Sequence, residues 1–100
     1  METEITSRSI LDKVYHIKKG LQKQYPIIRM GVFGSVARNE ITETSDIDIV
    51  VELDSKDLFD LIAIKQVLEE TLKRRVDIVR LRNRMNPLLL KRIEQDVIYV

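Results

Sequence analysis

The sequence has no cysteine, no tryptophan, three glycines and two prolines. Without cysteine there is no disulfide framework and no thiolate zinc site, which fits a cytoplasmic setting. So few glycines and prolines point to short connections and exclude a long flexible linker. Aromatic residues make up 5% of the chain, so a stacking surface for single-stranded nucleic acid is poorly supported. The formal net charge is +1, and no global pull toward nucleic acid or an anionic membrane is expected. No uncharged apolar run approaches the length that spans a bilayer. The N-terminal METEITSRS lacks the basic-then-apolar order of a signal peptide.

What remains is 44% hydrophobic and 33% charged residues, without repeats or low-complexity stretches. One hundred residues of that composition predict a single globular domain over residues 1–100.

Ile10, Val14, Ile17 and Leu21 fall at helical spacing and predict an amphipathic helix from Ser9 to Gln24. Ser9 with Asp12 offers a variant capping box, and Pro26 ends the helix. Ile27 to Phe33 reads as a strand, Gly34 as its end and Ser35 as the start of a short helical turn. Asp46 to Leu53 reads as a second strand. Asp54 is the expected cap of a helix from Ser55 to Lys73, with Leu58, Leu61, Ile62, Leu68 and Leu72 on its buried side. Arg75 to Leu81 is a third strand. Asn86-Pro87 starts a last helix that Leu89, Leu90 and Ile93 would bury. Val97 to Val100 is a candidate edge strand. The predicted class is α+β: a small mixed sheet flanked by helices, in the order α-β-α-β-α-β-α.

The chemistry concentrates in residues 34–48, GSVARNEITETSDID. Asp46 and Asp48 are two apart on the predicted strand, so both carboxylates project from one face. Ionised carboxylates that close repel each other unless a cation sits between them. Mg²⁺ takes oxygen ligands, and is ordinarily held by one or two carboxylates plus substrate phosphates; Mn²⁺ accepts a similar site. Asp77 is the candidate third carboxylate for a two-ion site. It interrupts the apolar strand Val76-Asp77-Ile78-Val79, where a lone charge is costly. Gly34 lets a main chain approach a phosphate, and Ser35 with the N–H groups after it can donate to phosphate oxygens. Arg38, one turn on, can neutralise a phosphate or pair with Glu40.

Gly34-Ser35, a ten-residue spacer, Asp46-x-Asp48 and a later Asp77 resemble the polymerase-β-like nucleotidyltransferase superfamily. More narrowly the chain is similar to a minimal nucleotidyltransferase (MNT) domain, the antitoxin of HEPN–MNT toxin–antitoxin pairs. The likeness runs from the leading helix to the Asn86–Tyr99 segment. It implies that Gly34 and Ser35 grip the triphosphate of ATP, and that Asp46, Asp48 and Asp77 hold two Mg²⁺ ions. It implies that Asp77 serves the attacking hydroxyl. It further implies transfer of AMP to a tyrosine of a HEPN ribonuclease toxin, with which the chain forms a hetero-oligomer. Many such proteins carry glycine where Asn39 stands, and asparagine tolerates the left-handed backbone that glycine would supply.

Other readings of the same residues stand beside these. Asp77 could pair with Arg74 or Arg80. The basic residues Lys73, Arg74, Arg75, Arg80, Arg82 and Arg84 read as a solvated face. His16 reads as a surface residue, and Tyr15, Tyr25 and Tyr99 as packing residues. An antitoxin acting by occupancy alone, and transfer to a small molecule or RNA, are the alternative functions. The intact carboxylates argue against the first, and the lack of room for an acceptor-holding domain against the second.

Overall fold

A computed structural model describes residues 6–82 and 84–100. Residues 1–5 of the METEITSRS stretch, and residue 83, lie outside that range.

Helix α1 spans Ser7–Leu21 and begins two residues before the predicted start. Thr6 is its cap: the Thr6 hydroxyl accepts the Ser9 N–H at 3.0 Å, and the Ser9 hydroxyl accepts the Thr6 N–H at 3.3 Å. Ser9 is thus the third helical residue of a reciprocal capping box, and Asp12 has no part in it. Ile10, Val14 and Leu21 form the buried stripe. Strand β1 is Ile27–Phe33, and the residues after it, 34–39, form turns where a short helix was expected. Strand β2 is Ile47–Leu53, so Asp46 falls just before it.

Helix α2 spans Leu58–Leu72, and its cap is Asp57, whose carboxylate accepts the Phe59 N–H at 2.9 Å. Asp54 does not cap it because its N–H donates to the Pro26 carbonyl at 2.9 Å, prolonging the sheet ladder. The later start also corrects the expected buried side. Ile64, Leu68 and Leu72 are buried, whereas Leu58 is 62% and Ile62 53% exposed. Strand β3 is Val76–Arg80. Helix α3, Pro87–Asp96, starts where Asn86-Pro87 predicts, with the Asn86 side chain accepting the Leu88 N–H. Strand β4 is Ile98–Tyr99.

The sheet order is β3-β2-β1-β4. β2 and β3 run parallel, while β1 is antiparallel to both β2 and β4, so the sheet is mixed. Side chains of α1 and α2 pack on one sheet face, joining Ile10, Val14, Ile64 and Leu68 to Met30, Ile49 and Val51. On the other face a smaller core joins Ile93 of α3 to Phe33 and Val50. α3 therefore lies on the face that Asp48, two residues from Val50, also shares. Among the described residues no helix is long and apolar enough to cross a membrane.

Candidate active site

The site is built where β1 ends beside the start of β2. Phe33 is the register partner of Asp48, so the residue after Phe33 turns over the Asp48 side chain. That residue is Gly34, with φ +73°. A Cβ built on Gly34 would stand 2.2 Å from Asp48 Oδ2 and 3.1 Å from its Cγ. Only glycine supplies both the left-handed backbone and the empty space. The turn then closes through main-chain bonds: Arg38 N–H to Gly34 O at 3.1 Å, Asn39 N–H to Val36 O at 3.1 Å and Glu40 N–H to Ser35 O at 2.8 Å. These bonds use main-chain atoms only, so the half-buried Ser35 hydroxyl is not spent on closing the turn. Asn39 has φ +59°, the left-handed conformation expected from its place in the turn.

Asp48 and Asp77 are register partners on the parallel strands β2 and β3. Partners in register point to the same sheet face, and neighbouring strands lie ~4.8 Å apart. Asp46 is exposed at the mouth of β2, and Asp77 is exposed on its strand, while Asp48 is half-buried beneath the turn. Burial pushes the Asp48 carboxyl above its ordinary pKa, and the negative charges of Asp77 and then Asp46 push it further. Arg92 and Arg38 pull the other way. Asp48 therefore lies within the field of both other carboxylates.

Among the described residues no three acidic or imidazole side chains stand close enough to hold an ion alone. The donor set nevertheless fits a hard divalent cation that completes its shell with water and phosphate oxygens. All three groups offer oxygen, and a cation between them relieves the repulsion that raises Asp48. The absent side chain of Gly34 lets the turn close directly onto the Asp48 carboxylate.

Among the described residues Arg38 forms no ion pair with the three carboxylates, though its charge is felt at Asp48. Its guanidinium holds Asp96 of α3 at 2.9 Å and Glu40 at 3.5 Å. The hydrogen bond to Asp96 keeps the Arg38 pKa above its ordinary value, with Glu40 adding to it. The salt bridge to Glu40 foreseen as the second reading of Arg38 is thus present, with Asp96 as the closer partner.

Three further residues enter the site unannounced by its motifs. Arg92 and Asp96 sit one turn apart on α3, a spacing that places both on one helix edge. Arg74 donates to the Thr42 and Ser45 carbonyls of the loop leading into Asp46, both at 2.5 Å. Arg80 likewise bonds the Leu53 and Ser55 carbonyls. Two members of the basic stretch are therefore built into the fold, where a solvated face was expected.

The nucleotidyltransferase domain model matches residues 14–100. A Methanocaldococcus jannaschii protein, provisionally named a protein adenylyltransferase, is 40% identical over 96 residues, covering 95% of this chain and 98% of its own length. The protein adenylyltransferase MntA of Thermococcus cleftensis is 34% identical over 84 residues, covering 83% of this chain and 84% of its own. The chain belongs to the nucleotidyltransferase family.

Among solved structures, one described provisionally as a minimal nucleotidyltransferase superposes with a TM-score of 0.79 at 30% identity, over 97% of this chain and 98% of that one. The fold is the polymerase-β-like core in its minimal form. The same fold occurs in a complex of a tri-AMPylated Shewanella oneidensis HEPN toxin with an MNT antitoxin, at a TM-score of 0.67 and 20% identity over 93% of this chain and 70% of that one. The protein is an enzyme that transfers a nucleotidyl group from a nucleotide substrate.

Proposed function

We propose that the chain transfers AMP from ATP to a tyrosine hydroxyl of a HEPN-type ribonuclease toxin and so acts as its antitoxin. The observation that carries the reading is the in-register Asp48–Asp77 pair beneath the Gly34 turn, with Asp46 at its edge. The named activity of the Thermococcus cleftensis relative and the AMPylated toxin of the Shewanella oneidensis complex support the donor and the partner.

In this reaction the tyrosine oxygen forms a bond to the α-phosphorus, and the bond from that phosphorus to the oxygen bridging to the β-phosphate breaks. Pyrophosphate leaves, and the tyrosine proton is lost. Gly34 and Ser35 hold the triphosphate through main-chain N–H groups and the Ser35 hydroxyl. Asp46, Asp48 and Asp77 would hold two Mg²⁺ ions, with Mn²⁺ able to replace them. When bound, such ions neutralise phosphate charge and ease deprotonation of the acceptor. Asp77, the exposed member of the pair, would help take the acceptor proton. The chain would act as one catalytic domain in the cytoplasm, and the acceptor would come with its own protein surface.

Intact mass of a co-expressed HEPN partner tests this. Mass increments of whole AMP units, lost with Asp48→Asn, are expected. An unmodified partner that is still neutralised and still co-purifies would replace catalysis by occupancy.

A further inference from the structure

Asp46 is the one proposed cation ligand that no strand holds. β2 begins at Ile47, and residues 40–46 have neither helix nor strand. A ligand on such a segment needs another device, because a working site tolerates misplacement of only ~0.5 Å.

The device is supplied by the connection from α2 to β3. Lys73 ends α2 in the left-handed conformation, φ +58° and ψ +35°, and this turns the next residue toward the loop. Arg74 Nη2 donates to both the Thr42 and the Ser45 carbonyl oxygens at 2.5 Å. One residue on, the Arg75 carbonyl accepts the Ile47 N–H at 2.9 Å. Asp46 is therefore bracketed, with the carbonyl before it and the N–H after it both tied to residues 74 and 75. The loop is also tied to itself. The Thr42 N–H donates to the Ser45 hydroxyl at 3.0 Å, and the Ser45 N–H to the Thr42 carbonyl at 3.2 Å. Arg74 thus grips a closed unit. A cavity of about 300 Å³, lined by Ser45, Asp46, Arg74 and Arg75 among others, opens on this side.

Among the described residues, Arg74 Nη1 is buried with no acceptor. Leaving a guanidinium N–H buried and unpaired opposes folding.

We propose that Arg74 is a positioning residue: by pinning the Thr42–Ser45 main chain it fixes where the Asp46 carboxylate stands relative to Asp48 and Asp77. The inference rests on the reading of Asp46 as a cation ligand.

The test is a titration of the purified full chain with Mn²⁺ alone, read by the loss of the free-ion electron paramagnetic resonance signal. Removing a group that orients a ligand typically weakens metal binding ~10–100-fold. Arg74→Met is expected to fall in that range with a native circular dichroism spectrum, and Arg74→Lys to lie between it and wild type. AMP transfer by the methionine variant should recover at saturating metal, which a merely unstable variant would not do. A folded methionine variant that binds Mn²⁺ as wild type overturns the inference. If it does not fold, the lysine variant decides by the same titration: wild-type affinity overturns, a clear loss supports. Asp46→Asn separates the two readings. If it binds Mn²⁺ at full strength, the ligand reading of Asp46 falls and takes this inference with it. If it weakens binding and the Arg74 variants do not, only the positioning role falls.

Discussion

Gly34 and Asp48 occupy one space: the position of a Cβ on Gly34 is 2.2 Å from the Asp48 carboxylate oxygen. Gly34→Ala must therefore displace the carboxylate or the turn. It also places alanine at φ +73°, a left-handed conformation that costs ~1–2 kcal/mol for a residue with a Cβ. A misplacement of ~1 Å in a catalytic site can cost ~10²-fold in rate. We expect Gly34→Ala to lower AMP transfer by about that factor while the far-ultraviolet circular dichroism stays native, measured by initial rates and spectra on the same sample.

Asp48 carries a charge that its surroundings oppose. Its folded-state pKa lies above the ordinary 3.8, first through burial and then through Asp77 and Asp46. The folded chain therefore holds the Asp48 proton more tightly than the unfolded chain does. The metal-free protein is favoured by this group below pH 3.8 and loses that contribution as pH rises through the raised value. Asp48→Asn should raise the thermal midpoint in EDTA at neutral pH, with the gain shrinking as pH falls through the raised value and gone below pH 3.8. The same variant should lose transfer activity. Equal midpoints at neutral pH would remove the strain we assign to Asp48.

Adding Mg²⁺ with a non-hydrolysable ATP analogue should reverse that order. A ligand at 100 times its dissociation constant stabilises by about 2.7 kcal/mol. Wild type should gain a clear rise in midpoint by differential scanning calorimetry and Asp48→Asn little or none. A gain shared by both proteins would place the ligand elsewhere.

Lys73 carries strain away from the reacting groups. It caps α2 at φ +58° with its N–H on the Glu69 carbonyl, a place glycine usually takes. Lys73→Gly relieves ~1–2 kcal/mol of left-handed strain and gives back part of it through the unfolded chain's freedom. A net gain of about 1 kcal/mol is expected, a rise of roughly 4–8 °C in the midpoint for a domain of this size.

Ile93 anchors α3 to the site face. It is fully buried against Phe33 and Val50. Truncation to alanine should cost about 2–5 kcal/mol in urea unfolding. Phe33 and Val50 flank Gly34 and Asp48 along the chain, so nucleotide affinity should weaken in protein that remains folded.

The strands were legible because their apolar residues end abruptly at Gly34, Asp54 and Arg80. The start of α3 was legible in Asn86-Pro87, but those of α1 and α2 were not. Asp54, Ser55 and Asp57 can each cap a helix, and the choice falls to Asp57 because Asp54 is claimed by the Pro26 carbonyl across the sheet. Leu58 and Ile62 were read as buried because α2 carries apolar residues around much of its circumference, and only packing against α1 and the sheet selects Ile64, Leu68 and Leu72. Gly34, Asp48 and Asp77 were found by spacing and by charge within apolar strands. Arg74 and Arg92 left no such trace, since their partners are set by tertiary contacts. Arg38 sits where its spacing placed it, one turn past Gly34, but Asp96 lies far along the chain and no local pattern foretells the pairing.

The β2–β3 pair is the one parallel contact in the sheet, and α2 makes the crossover between its strands. An antiparallel hairpin can form early from near neighbours, whereas a parallel pair must wait for its connection to be ordered. Gly34 and Asp48 can meet once β1 and β2 pair, but Asp77 arrives only after α2 has docked. The acid trio is thus a late product of folding, and a half-made chain has no finished carboxylate cluster with which to hold a cation.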